Sequence, residues 1–515
     1  MNKNDDNHVN NSKFDLVIIG TGAAASTVAH ECASQGWKVT LIDSRPFGGT
    51  CALRGCDPKK VLVAAEETMD WNTRMKGKGI SHDANGIHID WPELMKFKRT
   101  FTRPVPKNRE EAFAKAGIKP FHGTAQFIEK SKLMIIDSNT YDEEKLTTIN
   151  SATTTTAIQG NKDVEDWIIE GKYFVIATGA KPRPLGIEGE EKYVTTSDQF
   201  LELDQIPKEI VFIGGGYISF ELAHIAAHAG CKATILHRSN KVLYPHFDPD
   251  LVKGLIVKSR ELGIDILLGK EVTKISKKED TSNKLIVYSK SSADYDVGVE
   301  NRLSSIETDM VVHGAGRIPN IDNLNLSAAD IEYDNRHGIK VNEYLQSISN
   351  PNVYAAGDAT LNLGGSPLTP VAIYEGQIVS HNLLSNGDKN NSSSSKIKPN
   401  YSGIPSVIFT IPTLCSVGIQ ELEAKEKGIR LKVKHQYTSS WFSSRRIGEN
   451  HSSFKILLDE NENTILGAHL LGHSSEEVIN IFALAIRLNI PLRKLKESAT
   501  LFAYPTNASD IVSML

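Results

Sequence analysis

The sequence lacks any hydrophobic run long enough to cross a membrane. No apolar stretch approaches the ~18 residues that a membrane-spanning helix requires. Residues 1–13 are rich in Asn and Asp and have no apolar core, so they are typical of neither a signal peptide nor a membrane anchor. We expect this segment to be a disordered tail and the protein to reside in the cytoplasm, away from membranes.

An excess of charge of either sign is lacking too. The 58 Lys and Arg residues and the 62 Asp and Glu residues give a formal net charge of -4, which provides no electrostatic reason to expect nucleic acid or a membrane surface as a partner. The expected partners are therefore small molecules and a second copy of the chain. A chain of 515 residues is too long for a single core, so we expect roughly three or four domains.

Cysteine is scarce, but two of the five cysteines are separated by only four residues. Cys51 and Cys56 lie in residues 48–60, where several glycines and a proline are typical of an exposed turn. A disulfide between such close residues adds little loop-entropy stabilisation, so in a reducing compartment a redox role is favoured over a structural one. The other cysteines stand alone in the sequence without a neighbouring histidine pair, so we expect no zinc or other metal site.

The N-terminal region has the pattern of a dinucleotide-binding turn. A short buried strand, an alanine-rich helix and a second strand that ends in an acid follow one another over residues 14–43. The turn between the first strand and the helix has the spacing Gly-x-Gly-x-x-Ala, formed by Gly20, Gly22 and Ala25. Gly20 permits the tight turn, Gly22 lets the backbone approach a pyrophosphate at the helix N-terminus, and Asp43 would accept a hydrogen bond from a ribose hydroxyl.

The same pattern of strand, glycine turn and helix recurs around Gly214 and Gly216, so we expect two bound dinucleotides. In this second unit the following strand ends in His237 and Arg238, with Lys241 soon after. Cations at this position suit a 2′-phosphate, which favours NADPH over NADH. The alternative is that these residues are solvated surface charges.

Two segments of low complexity are interpreted as insertions or linkers. Residues 139–162 contain a run of threonines, and residues 386–400 contain a run of serines that precedes the final region. In that final region, strand-like runs at 406–409 and 454–458 precede a long helix at about 475–488. This arrangement predicts an α+β domain.

These motifs, in this order, resemble those of the class I pyridine nucleotide-disulfide oxidoreductase family, which includes glutathione reductase, dihydrolipoamide dehydrogenase and mercuric reductase. The resemblance extends from Phe14 to the C-terminus. Besides the cysteine pair and the two glycine turns, it rests on further motifs, namely Ala177-Thr178-Gly179, Gly316-Arg317-Ile318-Pro319-Asn320, Ala355-Ala356-Gly357-Asp358, Leu368-Thr369-Pro370-Val371-Ala372 and Ile465-Leu466-Gly467-Ala468-His469.

The resemblance implies an α/β fold with two Rossmann-like dinucleotide-binding domains and a C-terminal α+β dimerisation domain. A homodimer is expected on this ground alone. The expected order is a disordered tail (1–13), the first part of an FAD-binding domain (14–179), an NAD(P)H-binding domain (180–317), the remaining FAD-binding or central part (318–395) and a dimer-interface domain (396–515).

The resemblance also implies which residues hold the two cofactors. Asp358 would bind the ribitol chain of the flavin, and Tyr217 would cover the nicotinamide pocket. The residues expected at FAD are Gly20, Gly22, Ala25, Asp43, Gly49, Thr50, Thr178, Gly179, Asp358 and Thr369. The residues expected at NADPH are Gly214, Gly216, Tyr217, Arg238, Lys241 and Gly316.

By the same resemblance, Lys59 and Glu221 form an ion pair beside the reactive edge of the flavin. The lysine would stabilise the reduced flavin electrostatically, and the glutamate would compensate the buried charge of the lysine. Cys56 would face the flavin as a thiolate, favoured by a nearby helix N-terminus, while Cys51 would attack the substrate disulfide. Asp57, where many relatives carry an apolar residue, works slightly against thiolate formation.

Two departures from the family pattern concern the substrate. Relatives such as glutathione reductase carry a His followed by a Glu near the C-terminus, where this chain has Tyr504 and Ser509. An unperturbed tyrosine titrates near pH ~10, so Tyr504 would donate a proton but would be a poor base at neutral pH. His30 and Glu31 stand where glutathione reductase carries substrate-binding arginines, which argues against glutathione disulfide as the substrate.

The favoured function is therefore an FAD-dependent NADPH:disulfide oxidoreductase that acts on a low-molecular-weight or protein disulfide and serves cell redox homeostasis. The alternatives are an enzyme similar to dihydrolipoamide dehydrogenase, one similar to mercuric reductase, a flavin diaphorase or quinone reductase, and a slow redox sensor. Arg238 and the missing His weigh against the first, and the lack of any cysteine after Cys415 weighs against the second. The candidate catalytic residues are Cys51, Cys56, Lys59, Glu221 and Tyr504.

Overall fold

The structure is a computed structural model. It describes residues 11–81, 86–136, 167–279, 283–291, 303–360, 364–387, 395–461 and 463–515. Within these residues, no helix combines the length and the apolar character that a membrane crossing needs. The expected insertion at 139–162 lies outside the described residues, as do residues 1–10 of the expected tail.

The strands of the described residues are, in chain order, β1 Asn11–Ile19, β2 Val39–Asp43, β3 Lys119–His122, β4 Thr124–Glu129, β5 Lys132–Ile136, β6 Trp167–Ile176, β7 Ala180–Pro182, β8 Val194–Thr195, β9 Glu209–Ile213, β10 Lys232–His237, β11 Asp265–Leu268, β12 Lys270–Lys277, β13 Leu285–Ser291, β14 Ser304–Thr308, β15 Met310–His313, β16 Arg317–Pro319, β17 Tyr333–Asp334, β18 Gly338–Ile339, β19 Val353–Ala355, β20 Ser406–Ile408, β21 Thr413–Gly418, β22 Leu431–Tyr437, β23 Ser453–Asp459 and β24 Ile465–Gly472.

The α-helices of the same residues are α1 Ala23–Ser34, α2 Gly49–Arg54, α3 Cys56–Met75, α4 Trp91–Thr102, α5 Val105–Lys115, α6 Glu190–Tyr193, α7 Ser197–Phe200, α8 Tyr217–His228, α9 Pro249–Glu261, α10 Thr369–Gly387, α11 Glu421–Glu426, α12 Phe442–Arg445, α13 Ser475–Arg487, α14 Leu492–Ala499 and α15 Ile511–Met514.

The described residues divide into two compact units. The first unit comprises those of Met1–Pro58, Arg99–Arg183 and Arg317–Tyr401, and the second comprises those of Lys59–Lys98, Pro184–Gly316 and Ser402–Leu515. This division assigns the expected NAD(P)H-binding region and the expected dimer-interface region to one unit. It also places residues 59–98, which we expected in the FAD-binding domain, in the second unit. The finer order of domains inferred from the sequence stays a prediction.

The first unit is built on a sheet of order β3-β2-β1-β6-β5-β4, in which β19 also pairs with β6. Strand β1 is parallel to β2 and to β6, and its apolar residues are buried because helices cover a parallel sheet on both faces. Helix α1 packs against α10. Strand β1 begins at Asn11, where Asn11 pairs with Ile168, so the last three residues of the expected tail belong to the sheet.

The second unit contains a parallel sheet of order β11-β10-β9-β15-β8 and an antiparallel sheet of order β20-β21-β24-β23-β22. Helix α8 packs on β10, and α13 packs on β21 and β24. Two dinucleotide-type sheets, the first with an antiparallel edge at β4 and β5 and the second parallel, followed by an α+β region confirm the predicted fold class. Strands β20 and β23 and helix α13 lie within two residues of the bounds expected from the sequence.

Part of the second expected insertion, 386–400, is described. Its first two residues, 386 and 387, end helix α10, and residues 388–394 lie outside the described residues. The amide N–H of Ile397 donates to Asn382 Oδ1 at 2.9 Å, and Asn382 Nδ2 donates to the carbonyl of Ile397 at 3.0 Å. The C-terminal end of this segment is therefore held against α10 by two hydrogen bonds between the Asn382 side chain and the backbone of Ile397.

Candidate functional site

The turn between β1 and α1 brings two glycine motifs together. Gly20 has φ +113°, and a Cβ there would lie 2.3 Å from the carbonyl oxygen of Ala177, so only glycine fits. A Cβ on Gly49 would lie 2.5 Å from the Cα of Gly22, so the cysteine-bearing segment touches the first turn through bare backbone. This close approach leaves the backbone at the start of α1 accessible to a phosphate.

The expected ribose ligand Asp43 is held at the end of β2. Thr21 Oγ1 donates to its Oδ2 at 2.6 Å, and the amide N–H of Arg45 donates to its Oδ1 at 3.0 Å. The side chain is only half-buried, so its remaining lone pairs can accept from a ligand hydroxyl. Ala25 is fully buried in α1, which lets the helix lie close to the sheet.

A buried polar atom points to a ligand on the other side of this turn. Thr178 Oγ1 is buried and has no hydrogen-bond partner among the described residues. Gly179 has φ +68°, and a Cβ built there meets nothing within 4 Å. Asp358 lies in a 3₁₀ turn at Gly357–Ala359, where burial raises the pKa of its carboxyl group and Arg317 partly offsets that. A buried hydroxyl group without a hydrogen-bond partner, next to backbone that no side chain covers, fits a bound cofactor.

The two cysteines of the motif are in contact. Cys51 lies in α2 and is half-buried, and Cys56 is the first residue of α3 and is exposed. Both are free thiols in this structure. A side-chain hydrogen bond to Cys56, together with burial, raises the pKa of Cys51 above its usual range. Cys51 therefore loses its proton less readily than an ordinary thiol does.

Two neighbours adjust the charge of this pair. Thr369 Oγ1, at the start of α10, lies 3.6 Å from Cys56 Sγ and also lowers the pKa of Cys51. Asp57 Oδ1 lies 4.0 Å from Cys51 Sγ, and its charge raises the pKa of Cys51. The effect of Asp57 seen here therefore falls on Cys51, whereas the sequence suggested an effect on Cys56.

The expected ion pair is present in the second unit. Lys59 Nζ lies 2.7 Å from Glu221 Oε1, and the two side chains are 12% and 8% exposed. The same carboxylate oxygen accepts from the amide N–H of Phe409 at 2.9 Å. Lys59 Nζ lies 4.2 Å from the centre of the Phe409 ring. Phe409 was missed by sequence reasoning, because a phenylalanine at the end of a strand carries no signal of a charged neighbour.

The second glycine turn has the geometry expected of a dinucleotide site. Gly214 has φ +107°, and a Cβ there would lie 2.5 Å from the carbonyl oxygen of Gly314. Gly216 immediately precedes α8, and Tyr217 is the first, largely exposed residue of that helix. A Cβ on Gly316, which has φ +107°, meets nothing within 4 Å. As at the first glycine turn, backbone that no side chain covers lies at a helix N-terminus.

His237 does not contribute the positive charge that the sequence suggested. Its Nδ1 accepts from the amide N–H of Gly215 at 3.0 Å, and its Nε2 lies 3.0 Å from Ser239 Oγ. Burial lowers the pKa of this imidazole, so the ring is neutral near pH 7. Arg238 and Lys241 are exposed after β10 and remain available as cations for a phosphate.

Tyr504 is 82% exposed and lies beside a cavity of about 240 Å³ that Trp441, Arg446 and Asp510 also line. Ser509, which stands where relatives carry a Glu, is used for local structure. Its amide N–H donates to Thr506 Oγ1 at 3.2 Å, and its Oγ accepts from the amide N–H of Thr506 at 3.2 Å. The tyrosine therefore does not receive a dyad partner from Ser509.

Comparison with known proteins matches residues 14–376 to a family model described as pyridine nucleotide-disulphide oxidoreductase. Residues 404–515 match the dimerisation domain of the same family. The chain belongs to the pyridine nucleotide-disulphide oxidoreductases. Members of this family are flavoproteins that bind FAD and a pyridine nucleotide and act on sulfur groups through a redox-active disulfide, and the dimerisation domain is consistent with a homodimer.

Individual relatives span almost the whole chain. A mercuric reductase from Lysinibacillus sphaericus is 31% identical over 505 residues, covering 98% of this chain and 82% of that protein. A glutathione reductase from Burkholderia cepacia is 28% identical over 504 residues, covering 97% and 98%. The solved Cu(II) complex of the HOCl-induced flavoprotein disulfide reductase RclA from Escherichia coli is 25% identical, with a TM-score of 0.78 and coverage of 98% and 99%.

Within this oxidoreductase fold, sequence reasoning also missed a buried carboxyl group next to Asp358. Glu375 Oε2 accepts from the amide N–H of Gly357 at 2.6 Å, and its Oε1 accepts from the Tyr401 hydroxyl at 2.7 Å. Burial raises the pKa of Glu375 to about 7. Nothing in the local sequence indicates that this glutamate is buried, since its partners lie 18 and 26 residues away.

Proposed function

We propose that this protein is an NADPH-dependent disulfide reductase that passes electrons from NADPH through FAD and the Cys51–Cys56 pair to a small-molecule or protein disulfide. The side-chain hydrogen bond between Cys51 and Cys56 is the observation that carries the proposal. Two thiols in such contact can close a disulfide and reopen it. The other cysteines of the chain are buried.

The first unit would hold FAD through the glycine turn at Gly20 and Gly22, the carboxylate of Asp43, and the open backbone and orphaned hydroxyl at Thr178 and Gly179. When bound, FAD supplies hydride acceptance from the nicotinamide and electron delivery to the sulfur pair. Thr50 precedes Cys51 in α2 and Thr369 Oγ1 lies 3.6 Å from Cys56 Sγ, so both would contribute to the FAD site beside the cysteines. Asp358 would accept hydrogen bonds from the ribitol hydroxyls.

The thiol exchange uses the two cysteines in turn. Cys51 would pass its proton to the Cys56 thiolate, to which it is hydrogen-bonded, and then attack one sulfur of the substrate disulfide, which forms a mixed disulfide and releases the first thiolate. Cys56 would give this proton to the departing thiolate and attack Cys51 Sγ, which releases the second thiolate and closes the Cys51–Cys56 disulfide. Tyr504 would donate a proton to a departing thiolate, because it is the titratable residue at the position where the family carries histidine.

NADPH is preferred in this proposal because two cations remain at the end of β10. Arg238 and Lys241 are both exposed, and Arg238 can bind a 2′-phosphate through two parallel hydrogen bonds. With His237 neutral, the preference depends on these two side chains alone. A homodimer in the cytoplasm completes the proposal.

The test measures NADPH consumption by the purified FAD-loaded protein against glutathione disulfide, bis-γ-glutamylcystine, coenzyme A disulfide, lipoamide and a thioredoxin-like protein. We expect one disulfide to be reduced well and Cys51→Ser to abolish that reduction while dye reduction persists. Cys231→Ser, at a buried cysteine outside the pair, is the matched control. Equal disulfide reduction by Cys51→Ser and the parent would contradict the dithiol mechanism.

A second candidate is mercuric ion reduction, because a relative at 31% identity is a mercuric reductase. The same assay with Hg²⁺ as acceptor distinguishes it. No cysteine stands between Cys415 and Leu515, so the residues around Tyr504 offer no thiol pair to the metal ion, and we expect Hg²⁺ to be the poorer acceptor. Faster NADPH consumption with Hg²⁺ than with every disulfide would favour the second candidate.

A further inference from the structure

Helices α3, α8 and α9 of the second unit enclose a carboxyl group that the proposed mechanism does not use. Glu66, in the middle of α3, is 0% exposed. Both of its carboxyl oxygens are buried and lack a hydrogen-bond partner in the described part of the chain. Its Oε1 lies 3.6 Å from His224 Nδ1 and 3.5 Å from His228 Nδ1, both on α8.

The hydrogen bonds of His224 fix which of its ring nitrogens carries a proton. Its Nε2 lies 2.8 Å from Ser259 Oγ on α9. The Ser259 hydroxyl donates its only proton to the carbonyl of Leu255 at 2.8 Å, so His224 Nε2 must donate to Ser259 Oγ. In a neutral His224, Nδ1 is then the acceptor, and it faces Glu66 Oε1. The amide N–H of Ile411 reaches the same Nδ1 at 3.5 Å.

His228 offers no positive charge either. Its Nδ1 lies 2.9 Å from the carbonyl oxygen of His224 and donates to it. Its Nε2 is buried and has no hydrogen-bond partner in the described residues. A protonated His228 would carry a second N–H at Nε2, and this N–H would have no acceptor. Burial lowers the pKa of both imidazoles, and the charge of Lys258 lowers them further. Near pH 7 both rings are therefore neutral.

The remaining charges around Glu66 also favour its neutral form. Burial is the largest cause that raises the pKa of this carboxyl group, followed by the negative charges of Asp70, Glu67 and Glu221, and Lys60 offsets them only in part. Asp70 already takes the nearby cations: its Oδ1 lies 3.1 Å from Lys258 Nζ, and Arg74 Nε donates to its Oδ2. An ionised Glu66 would face a lone pair of His224 and three carboxylates.

We propose that Glu66 stays a protonated, neutral carboxylic acid beside His224, and that this proton makes Glu66 a positioning residue for the Lys59–Glu221 ion pair. Glu221 and His224 lie three residues apart on α8, and Lys59 and Glu66 lie seven apart on α3, so each pair shares one face of its helix. A neutral Glu66 leaves Glu221 as the ionised carboxylate opposite Lys59. An anionic Glu66 would repel Glu221.

The role in positioning rests on the proposed function, but the proton on Glu66 is measurable without turnover. In the FAD-loaded protein at pH 8, the infrared spectrum of the parent minus that of Glu66→Gln should contain the carbonyl stretch of one protonated carboxyl group. The matched control is Glu67→Gln, the next residue on α3, which is 43% exposed and ion-paired with Lys60; its difference spectrum should lack this band. A difference spectrum of Glu66→Gln that shows a carboxylate band instead would overturn the proposal.

Unfolding at different pH values gives a second readout that does not depend on the spectrum. The folded pKa of Glu66 lies above its ordinary value of 4.5, so above that pH the unfolded chain loses a proton that the folded protein keeps. The unfolding equilibrium constant of the parent, relative to that of Glu66→Gln, should rise about tenfold per pH unit above 4.5 until the folded carboxyl group ionises. A ratio independent of pH would refute the proton on Glu66.

His224→Gln covers the case in which Glu66→Gln does not fold. It replaces the imidazole that lies 3.6 Å from Glu66 Oε1 and leaves Glu66 in place, so the carbonyl band of a protonated Glu66 should shift in frequency relative to the parent. A shifted carboxylate band instead, or no shifted band at all, would overturn the proposal. If the infrared result is as expected but the protein reduces no disulfide, the proposed function is contradicted and the proposal for Glu66 is not.

Discussion

Removing one partner of the Lys59–Glu221 pair should cost far more stability than removing one partner of the neighbouring pair on the same helix. Lys59 and Glu221 lie 2.7 Å apart and are 12% and 8% exposed. Lys60 and Glu67 lie 2.9 Å apart, but both are 43% exposed. The two pairs have the same chemistry and similar distances, so they differ mainly in solvation.

The expected magnitudes follow from that difference. Glu221→Gln keeps an oxygen that can accept from the Phe409 amide N–H but leaves Lys59 as a buried, uncompensated cation, which costs about 3–5 kcal/mol. Lys59→Met combined with Glu221→Gln removes both charges and should recover about 2–3 kcal/mol of that loss as coupling energy. For Lys60→Met and Glu67→Gln the coupling energy should stay below ~1 kcal/mol, because solvent screens the pair.

The assay is urea unfolding of the FAD-loaded parent, the four single variants and the two double variants, with flavin reduction by NADPH followed by absorbance in each. The coupling energies are calculated from two double-mutant cycles, one for each ion pair, with all variants measured in the same buffer. Equal coupling in the buried and the exposed cycle would refute the reasoning. We also expect slow flavin reduction in the Lys59 and Glu221 variants only, because these residues are proposed to lie beside the flavin.

Two further changes test the proposed cofactor and proton donor. Arg238→Glu should lower kcat/KM for NADPH about 10–100-fold and leave kcat/KM for NADH less affected, because a charge-assisted hydrogen bond worth about 1.5–3 kcal/mol is lost. The control is Lys253→Glu, at an exposed lysine on α9. An unchanged ratio of NADPH to NADH use in Arg238→Glu would reject the assignment. Tyr504→Phe should slow disulfide turnover about 100-fold or more without changing dye reduction; an unchanged rate and pH profile would make Tyr504 a packing residue.

Much of the nucleotide-binding architecture was predictable because its requirements are local. Gly20 and Gly214 occupy positive-φ positions in which a side chain would collide with the backbone of Ala177 and Gly314, so glycine at these places is visible in the sequence. Buried parallel strands appear as continuous apolar runs. The spacing of Cys51 and Cys56 brings two thiols together within one turn, whatever the rest of the chain does.

Protonation states could not be predicted in the same way. His237 was expected to add positive charge beside Arg238, but the amide N–H of Gly215 donates to its ring and burial keeps it neutral. Glu375 looks like an ordinary surface glutamate in its helix, yet burial raises its pKa to about 7. Desolvation depends on which atoms surround a group, and those atoms come from distant parts of the chain.

The sequence by itself determined the two glycine turns, the dithiol motif and the family, because backbone sterics and short-range spacing are written in neighbouring residues. Tertiary structure alone decided which charges are paired and which carry a proton. Glu221 meets Lys59 across 162 residues, and Glu66 meets His224 between two helices that are far apart in the chain. Only folding brings such groups out of water, and the free energy of a charge is set by that environment.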